Sequence, residues 1–446
     1  MIRITASIVQ AFDRFMPEPF AFSVLMTFIA LALVVAFTPA SPGDALIAWG
    51  DGLSGLLPFI TQVCLTVLFA FALAHLGPVP RLLQKVAGIP RSARGACAFA
   101  VLFAGAVSLI AWPLGTILGG LMARELALSC RRRGIRVHYP LLGGAAFSGF
   151  VVWHMGYSAS APLFVATPGN AMEGLIGGVL PFTETVLTSW NLAILAATLT
   201  TLATAAALLH PRDPESIQEI SSEFVAEQES PPDTRRRPGF AGYIENARWP
   251  SAALGALLVA YVGFWFAGKG VQLDLNIVNW TFLAAGLLLA RSALDYGSVL
   301  LLGGRAVVPF LLQYPMYAGI MGLMLNTGFV AQIARWFAEV ASAETLPLIA
   351  FLSGGLINLF IPSGGAQWAV QGPAFIEAAQ ALGTDLPLIV MGVAYGDQWT
   401  NLIHPFVVIP LLIMTGLPLT RVLSYSFLFF LLATLPLGLG LLWVAA

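Results

Sequence analysis

Charge is what this 446-residue sequence has least of: Asp, Glu, Lys and Arg together make up 10% of it, against the roughly 25% usual for a soluble domain. With 58% hydrophobic residues and a mean hydropathy of +0.85, that shortage excludes an ordinary water-soluble globule and indicates a polytopic membrane protein. The formal net charge is −1, and no basic tract resembles the electrostatic footprint of a DNA- or RNA-binding protein. Cysteine is scarce, and Cys64, Cys97 and Cys130 lie far apart in or beside apolar runs. A disulfide framework or metal site is therefore not expected, and the three read as small packed residues. The P-loop pattern G-x-x-x-x-G-K-[ST] does not occur, so ATP is not expected to drive any work done by this chain.

What the chain does have is apolar runs punctuated by 44 Gly and 29 Pro. Stretches long enough to cross a bilayer, about 20 residues at about 1.5 Å each, fall near 20–38, 52–75, 188–209, 249–267, 277–294, 300–325 and 420–444. Two longer, interrupted tracts cover 139–166 and 386–418. The tract 95–125 follows Arg91 and Arg94 and precedes Arg124, Arg131, Arg132, Arg133 and Arg136. A single crossing would leave one of those clusters outside, against the positive-inside rule. The tract is expected instead to fold back as a re-entrant hairpin with its tip near Trp112-Pro113-Leu114-Gly115, which protein or a wet cavity must surround. Nine crossings and two hairpins, with the N-terminus cytoplasmic and the C-terminus outside, put every Lys and Arg inside except Lys269 and Arg335. Arg3 and Arg14 precede an apolar run from Phe20 that is span-length and lacks an A-x-A-like site, so it reads as the first transmembrane helix.

The chain repeats itself. Pro140-Leu141-Leu142 through Gly149 returns as Pro387-Leu388-Ile389 through Gly396, an offset of 247 (387 − 140), and Leu109-Ile110 returns as Leu356-Ile357. Pro58-Phe59-Ile60-Thr61-Gln62 returns as Pro309-Phe310-Leu311-Leu312-Gln313 at a slightly longer offset. Paired interrupted segments in two halves are the best sequence pointer to a transport site. The expected fold is an all-α membrane protein with an inverted-topology repeat, two re-entrant hairpins and two broken helices. The first repeat covers 1–209, with its hairpin at 95–125 and broken helix at 139–170. The second covers 268–446, with its hairpin at 346–382 and broken helix at 386–418. Between them lie a span at 249–267, which reverses the second copy, and the hydrophilic stretch 210–248. That stretch, with Pro231-Pro232 and Arg235-Arg236-Arg237, reads as a mobile cytoplasmic linker. Amphipathic stretches from Arg81 to Arg94 and from Gln332 to Ala343 precede the two hairpins as interfacial arms.

Polar residues inside apolar tracts mark where chemistry sits. In the second hairpin, Pro362 lacks an amide donor and Gly364-Gly365 admit backbone close to a ligand, so the helix must break and leave amides unpaired. A helix N-terminus of that kind suits a carboxylate, with Ser363 adding a hydroxyl and Asn358, Gln367 and Trp368 nearby. The second broken helix carries Tyr395, Asp397, Trp399, Thr400 and Asn401, where Asp397 could take a proton or hold Na⁺ with Thr400 or Asn401. The first carries His154, Ser158, Ser160 and Thr167, the serines and threonine as neutral ligands and His154 as a second candidate proton carrier. No catalytic residue, cofactor or resident metal is expected beyond a coupling ion, H⁺ or Na⁺, near Asp397.

At these residues the sequence resembles the short-chain fatty acid transporter family, of the AtoE type associated with acetoacetate and butyrate uptake in bacteria. The resemblance runs over nearly the whole chain, through Trp49-Gly50-Asp51-Gly52, Ala123-Arg124-Glu125, Ala166-Thr167-Pro168-Gly169-Asn170, Gln313-Tyr314-Pro315, Ile361-Pro362-Ser363-Gly364-Gly365, Gln371-Gly372-Pro373 and Tyr395-Gly396-Asp397-Gln398-Trp399. It implies kinship with the wider ion-transporter superfamily, hence a homodimeric scaffold, a mobile hairpin-bearing domain, elevator-like motion and a bacterial inner membrane. Asp397 stands where the family pattern has Glu, Gln367 where it has His, and His154 and His404 where it has neither. These departures bear on the coupling ion and chain length and leave the fold alone.

The expected function is cation-coupled import of a short-chain monocarboxylate, since few charges at membrane depth fit a substrate with one charge. The alternatives are a carrier of a dicarboxylate, sugar acid or inorganic ion on the same fold and, further off, a membrane acyltransferase using His154 or His404 with Asp397. The latter lacks a recognisable nucleophile elbow.

Overall fold

A computed structural model describes residue 14 and residues 16–222, 238–270 and 274–446, without the side chains of residues 305, 306 and 310. Arg3, Pro231-Pro232 and Arg235-Arg236-Arg237 lie outside the described residues. All regular structure among the described residues is helical. The first half runs α1 Pro19–Phe37, α2 Pro42–Gly52, α3 Leu57–His75, α4 Val79–Ala87, α5 Ala93–Ile110, α6 Trp112–Arg132, α7 Tyr139–Gly149, α8 Ser160–Ala166 and α9 Ser189–Leu209. After α10 Gly239–Asn246 and α11 Arg248–Lys269, the second half runs α12 Leu275–Leu289, α13 Ala293–Gly303, α14 Val308–Asn326, α15 Phe329–Glu339, α16 Leu346–Asn358, α17 Gly364–Leu382, α18 Leu386–Thr400, α19 Ile409–Thr415 and α20 Leu419–Ala445. The two series run in the same order, apart from a short helix Glu173–Ile176 in the first half, and α7 and α18 start at the 247-residue offset found in the sequence, α18 running on past Gly396 to Thr400. Packing is reciprocal as well: α1 lies against α14 and α12 against α3.

Length and composition fit six stretches of the described residues to a bilayer crossing, α2 and α3 counting together as Pro42–His75, or up to seven when Leu311–Asn326 and Phe329–Glu339, bent by 62°, count as one. Several expected boundaries shift. The tract 277–294 ends as a helix at Leu289, and 300–325 is divided, its first residues closing the separate α13 before a 3₁₀ turn leads into α14. Ser292 caps α13 by accepting from the Asp295 amide, which fixes the start of that extra helix. The amphipathic stretches form the short helices α4 and α15 at matching places.

α5 and α6 make an antiparallel hairpin, with Gly119 against Ala104 and Gly115 against Ser108. Its break is at Ala111, one residue before the expected tip, and its second arm runs on to Arg132 rather than ending at 125. The cause is Pro113. The Leu109 carbonyl would accept from the residue four positions on, but proline has no N–H to give. The amide of Tyr157, in the break of the first broken helix, donates to Leu109 instead at 2.6 Å, and the Trp112 amide donates to Ser158 Oγ at 2.9 Å. The second hairpin, α16 and α17, is closed across its arms by Gln367 Nε2 donating to the Gly354 carbonyl at 2.7 Å. Each hairpin crosses the broken helix of its own half at the duplicated glycine: a Cβ at Gly149 would run into the Val101 carbonyl, and one at Gly396 into that of Phe351.

The linker departs from expectation at its start. Residues 210–222 dock on the protein instead of trailing free: Ile220 is buried, the Tyr139 amide donates to the Gln218 carbonyl at 2.7 Å, and Arg136 pairs with Glu219 at 2.7 Å. His138 Nδ1 accepts from the Gln218 amide at 3.0 Å. Burial, together with the nearby His210 imidazole and Arg421 guanidinium, pushes the His138 imidazole down from 6.5 to about 4. The docked form therefore binds its proton later than a released His138 does, so docking is intact above about 6.5 and is lost progressively toward about 4. The protection factor of the Gln218 amide, its exchange rate corrected for the intrinsic pH dependence, should fall as pH is lowered across that window while protection within α7 holds; a pH-independent protection factor at Gln218 would contradict this.

Candidate functional site

The two hairpin tips and the two helix breaks converge on a cavity of about 140 Å³. Trp112, Pro113 and Thr116 line it from the first tip, and Pro362, Ser363 and Gly364 from the second. Ser160 faces it from the first break, and Asp397 and Asn401 from the second, with Val407 and Pro410 beyond. Phe59, Phe150, Trp153, Tyr314 and Phe406 supply most of the aromatic wall. Asp397 is the one acidic or basic side chain among the lining residues.

Asp397 is buried, and each part of it has a different neighbour. Its Oδ1 accepts from Asn401 Nδ2 at 3.1 Å and faces His154 Nε2 at 3.6 Å. Its Oδ2 has no hydrogen-bond partner among the described residues. The Ser160 amide donates to His154 Nδ1 at 3.2 Å, which leaves the neutral ring's proton on Nε2, directed at the carboxylate. His154 is wholly buried, and its own amide donates to Gln398 Oε1 at 3.0 Å. Gly364 closes over the pair: a Cβ there would lie 2.6 Å and 2.7 Å from His154 Cε1 and Nε2 and 3.1 Å from Asp397 Oδ2.

The second tip is a helix start with free donors. Ser363 is extended and stands just before α17, and its hydroxyl does not cap the helix. The amides of Gly364, Gly365 and Ala366 have no acceptor among the described residues, since the first bond into the helix is from Gln367 to the Ser363 carbonyl. Asn358 ties this tip to the second broken helix by donating to the Asp397 carbonyl at 3.0 Å, Thr400 Oγ1 at 2.9 Å and Asn401 Oδ1 at 2.8 Å. His404 Nε2 donates to the Leu359 carbonyl at 3.3 Å, as its Nδ1 accepts from the Phe406 amide at 3.2 Å. His404 thus does at the second tip what the Tyr157 amide does at the first.

The expected site residues therefore divide. Ser160, Ser363, Gly364, Asp397 and Asn401 line the cavity, and His154, Asn358 and Thr400 hold them. Ser158 anchors the first tip rather than facing the cavity. Gly365 sits at the second tip with open space beside it. Four others point elsewhere. Trp368 is buried against Gly372, Gln367 bridges the hairpin arms, Tyr395 donates to Asn191 Oδ1 at 2.5 Å, and Trp399 donates to the Phe430 carbonyl and Thr434. Thr167 is exposed and bonds its own helix. The aromatic wall was missed because a membrane sequence has too many aromatics to single out; the duplicated Pro58–Gln62 motif did carry Phe59. Among the described residues no group of three or more His, Cys, Asp and Glu could hold a metal ion.

The "Short chain fatty acid transporter" family model matches residues 1–444. A protein of Escherichia coli (strain K12) named "Putative short-chain fatty acid transporter" is 33% identical over 432 residues, 95% of each chain. A protein of the same name from Haemophilus influenzae is 31% identical over 435 residues, again 95% of each chain. Among solved structures, the Alcanivorax borkumensis YdaH transporter is similar at a TM-score of 0.44 and 15% identity, over 95% of this chain and 98% of that one. Neisseria gonorrhoeae MtrF, described with a class of antimetabolite efflux pumps, is similar at 0.42 and 14%, over 97% of each. The full-length family match and the two relatives above 30% identity place this chain in the short-chain fatty acid transporter family, as a multi-pass membrane transporter rather than an enzyme.

Proposed function

We propose that the protein carries short-chain monocarboxylates such as butyrate or acetoacetate across the bacterial inner membrane, coupled to H⁺ or Na⁺. The observation that carries this reading is the cavity lined by Ser363 and Gly364, at the helix start of α17 whose first amides have no acceptor among the described residues, together with one buried carboxylate, Asp397. The amides and helix dipole suit an anion. A volume of about 140 Å³ is close to the roughly 150 Å³ cavity that accepts benzene, a molecule with as many heavy atoms as butyrate. No Lys or Arg lines it to meet a second carboxylate, which favours a monocarboxylate over a dicarboxylate or sugar acid.

Coupling follows from the same geometry. Two carboxylates close together in a low-dielectric site cannot both stay charged without a cation. Substrate binding therefore recruits a proton or Na⁺ to Asp397 Oδ2, and the neutralised assembly crosses as a unit. The hairpins would be re-entrant from opposite faces of an inverted repeat, and would move with the broken helices, elevator-like, against a homodimeric scaffold. The N-terminus would be cytoplasmic and the C-terminus outside.

Counterflow of labelled butyrate in proteoliposomes, with pH and Na⁺ gradients imposed separately, tests the reading. The expected result is exchange, with accumulation under one gradient; inertness toward every acid of two to six carbons would remove it. Ser363→Ala should weaken butyrate binding roughly tenfold, the worth of about 1.4 kcal/mol from one hydrogen bond to a charged group. An unchanged half-saturation concentration for exchange would move the carboxylate elsewhere.

A further inference from the structure

Beyond one wall of the cavity lies a second chamber of about 110 Å³, bounded by Leu56, Tyr317 and Met321. The two chambers share Phe59, Phe406 and the Pro362-Ser363 tip, so these residues form the partition between them. Phe406 is wedged in place. It is buried, with its ring centroid 3.9 Å from that of Tyr314 on the first side and 4.8 Å from that of Tyr317 on the second. Pro362 and Ser363 belong to the tip that holds the free amides. Phe59 is the replaceable panel: half-buried, with Trp112 and Tyr314 each 6.0 Å away between centroids. The second chamber is apolar apart from the Ser363 edge and the Tyr317 hydroxyl, which is buried and has no hydrogen-bond partner among the described residues.

We propose that Phe59 sets the substrate's chain-length limit. Its ring closes the first chamber at about the size of a four-carbon acid, and the second chamber is space that the ring withholds. The proposal rests on the monocarboxylate reading above. A carboxylate held at Ser363 sits on the edge common to both chambers, so removing the Phe59 ring lets a longer tail pass into the second without moving its head. Once there, the tail lies beside Met321 and brings the Tyr317 hydroxyl within reach of any oxygen it carries.

Competition of unlabelled straight-chain acids, from acetate to octanoate, against labelled butyrate in counterflow tests this on the full-length protein. In Phe59→Ala, hexanoate should gain about tenfold over butyrate relative to the parent protein, the worth of two newly buried methylene groups. Adding Met321→Trp to Phe59→Ala refills the second chamber and should return the profile toward that of the parent. Met321→Trp alone should leave the profile unchanged, because the parent's tail never reaches it. An unaltered profile in exchange-competent Phe59→Ala would overturn the proposal, as would weakened butyrate competition in Met321→Trp alone, which also decides the matter if Phe59→Ala does not fold. A parent protein inert to every acid would instead remove the monocarboxylate reading, and this proposal with it.

Discussion

Asp397→Asn is expected to abolish cation-driven accumulation while leaving substrate exchange in place. The carboxyl is the one acidic or basic side chain among the residues lining the cavity, and its Oδ2 has no hydrogen-bond partner among the described residues. Asparagine keeps the shape and leaves an oxygen for Asn401 to donate to, so the local fold should survive. What it removes is the carboxylate proposed to make an incoming anion bring a cation with it. Under a tenfold cation gradient with one cation per acid, the parent protein can accumulate up to about tenfold, the equivalent of about 1.4 kcal/mol. The variant should relax to an inside-to-outside ratio of about one while still equilibrating labelled acid. Retained accumulation would take Asp397 out of the coupling step.

Gly364→Ala is the second large effect. The added methyl would sit 2.6 Å from the wholly buried His154 ring, whose Nδ1 accepts from the Ser160 amide and whose Nε2 faces the Asp397 carboxylate at 3.6 Å. Overpacking of that kind costs about 1–3 kcal/mol, here at the pair proposed to receive the cation. Exchange should fall about five- to a hundredfold. Gly365→Ala is the matched control: nothing lies within 4 Å of a Cβ at that position, and exchange should stay within about threefold of the parent. Equal losses in the two variants would mean that general tip flexibility, not the space above His154 and Asp397, is what the glycines supply.

The parts legible in the sequence were those that break a strong local rule. Pro113, Pro362, Gly364 and Gly365 interrupt helices that the apolar runs would otherwise continue, and Asp397 is an ionisable group in such a run; all lie at the tips or the cavity. The duplication gave the correspondence of the two halves, because each glycine crossing must be built twice. The targets of buried polar side chains were not legible. Tyr395 and Trp399 sit in the same short polar cluster as Asp397, yet a helix turns about 100° per residue, which sends them to Asn191 and Thr434 instead. His404 stands out in the sequence as a departure from the family pattern, but its partner is the Leu359 carbonyl, 45 residues away in sequence. The docked start of the linker was hidden for a similar reason: its composition is that of a mobile segment, and its partners, His138 and Arg136, belong to another part of the chain.

The hairpin tips are proposed to meet at one acid-binding cavity. A crystal of the protein with 4-bromobutyrate, with anomalous data collected at the bromine edge, tests it most directly. The expected result is a single bromine peak inside the cavity, within reach of the Phe59, Trp112 and Phe406 rings, with the carboxylate at Ser363 and Gly364. A peak outside that cavity, or electron density in which 95–125 and 346–382 run on as unbroken helices, would contradict it.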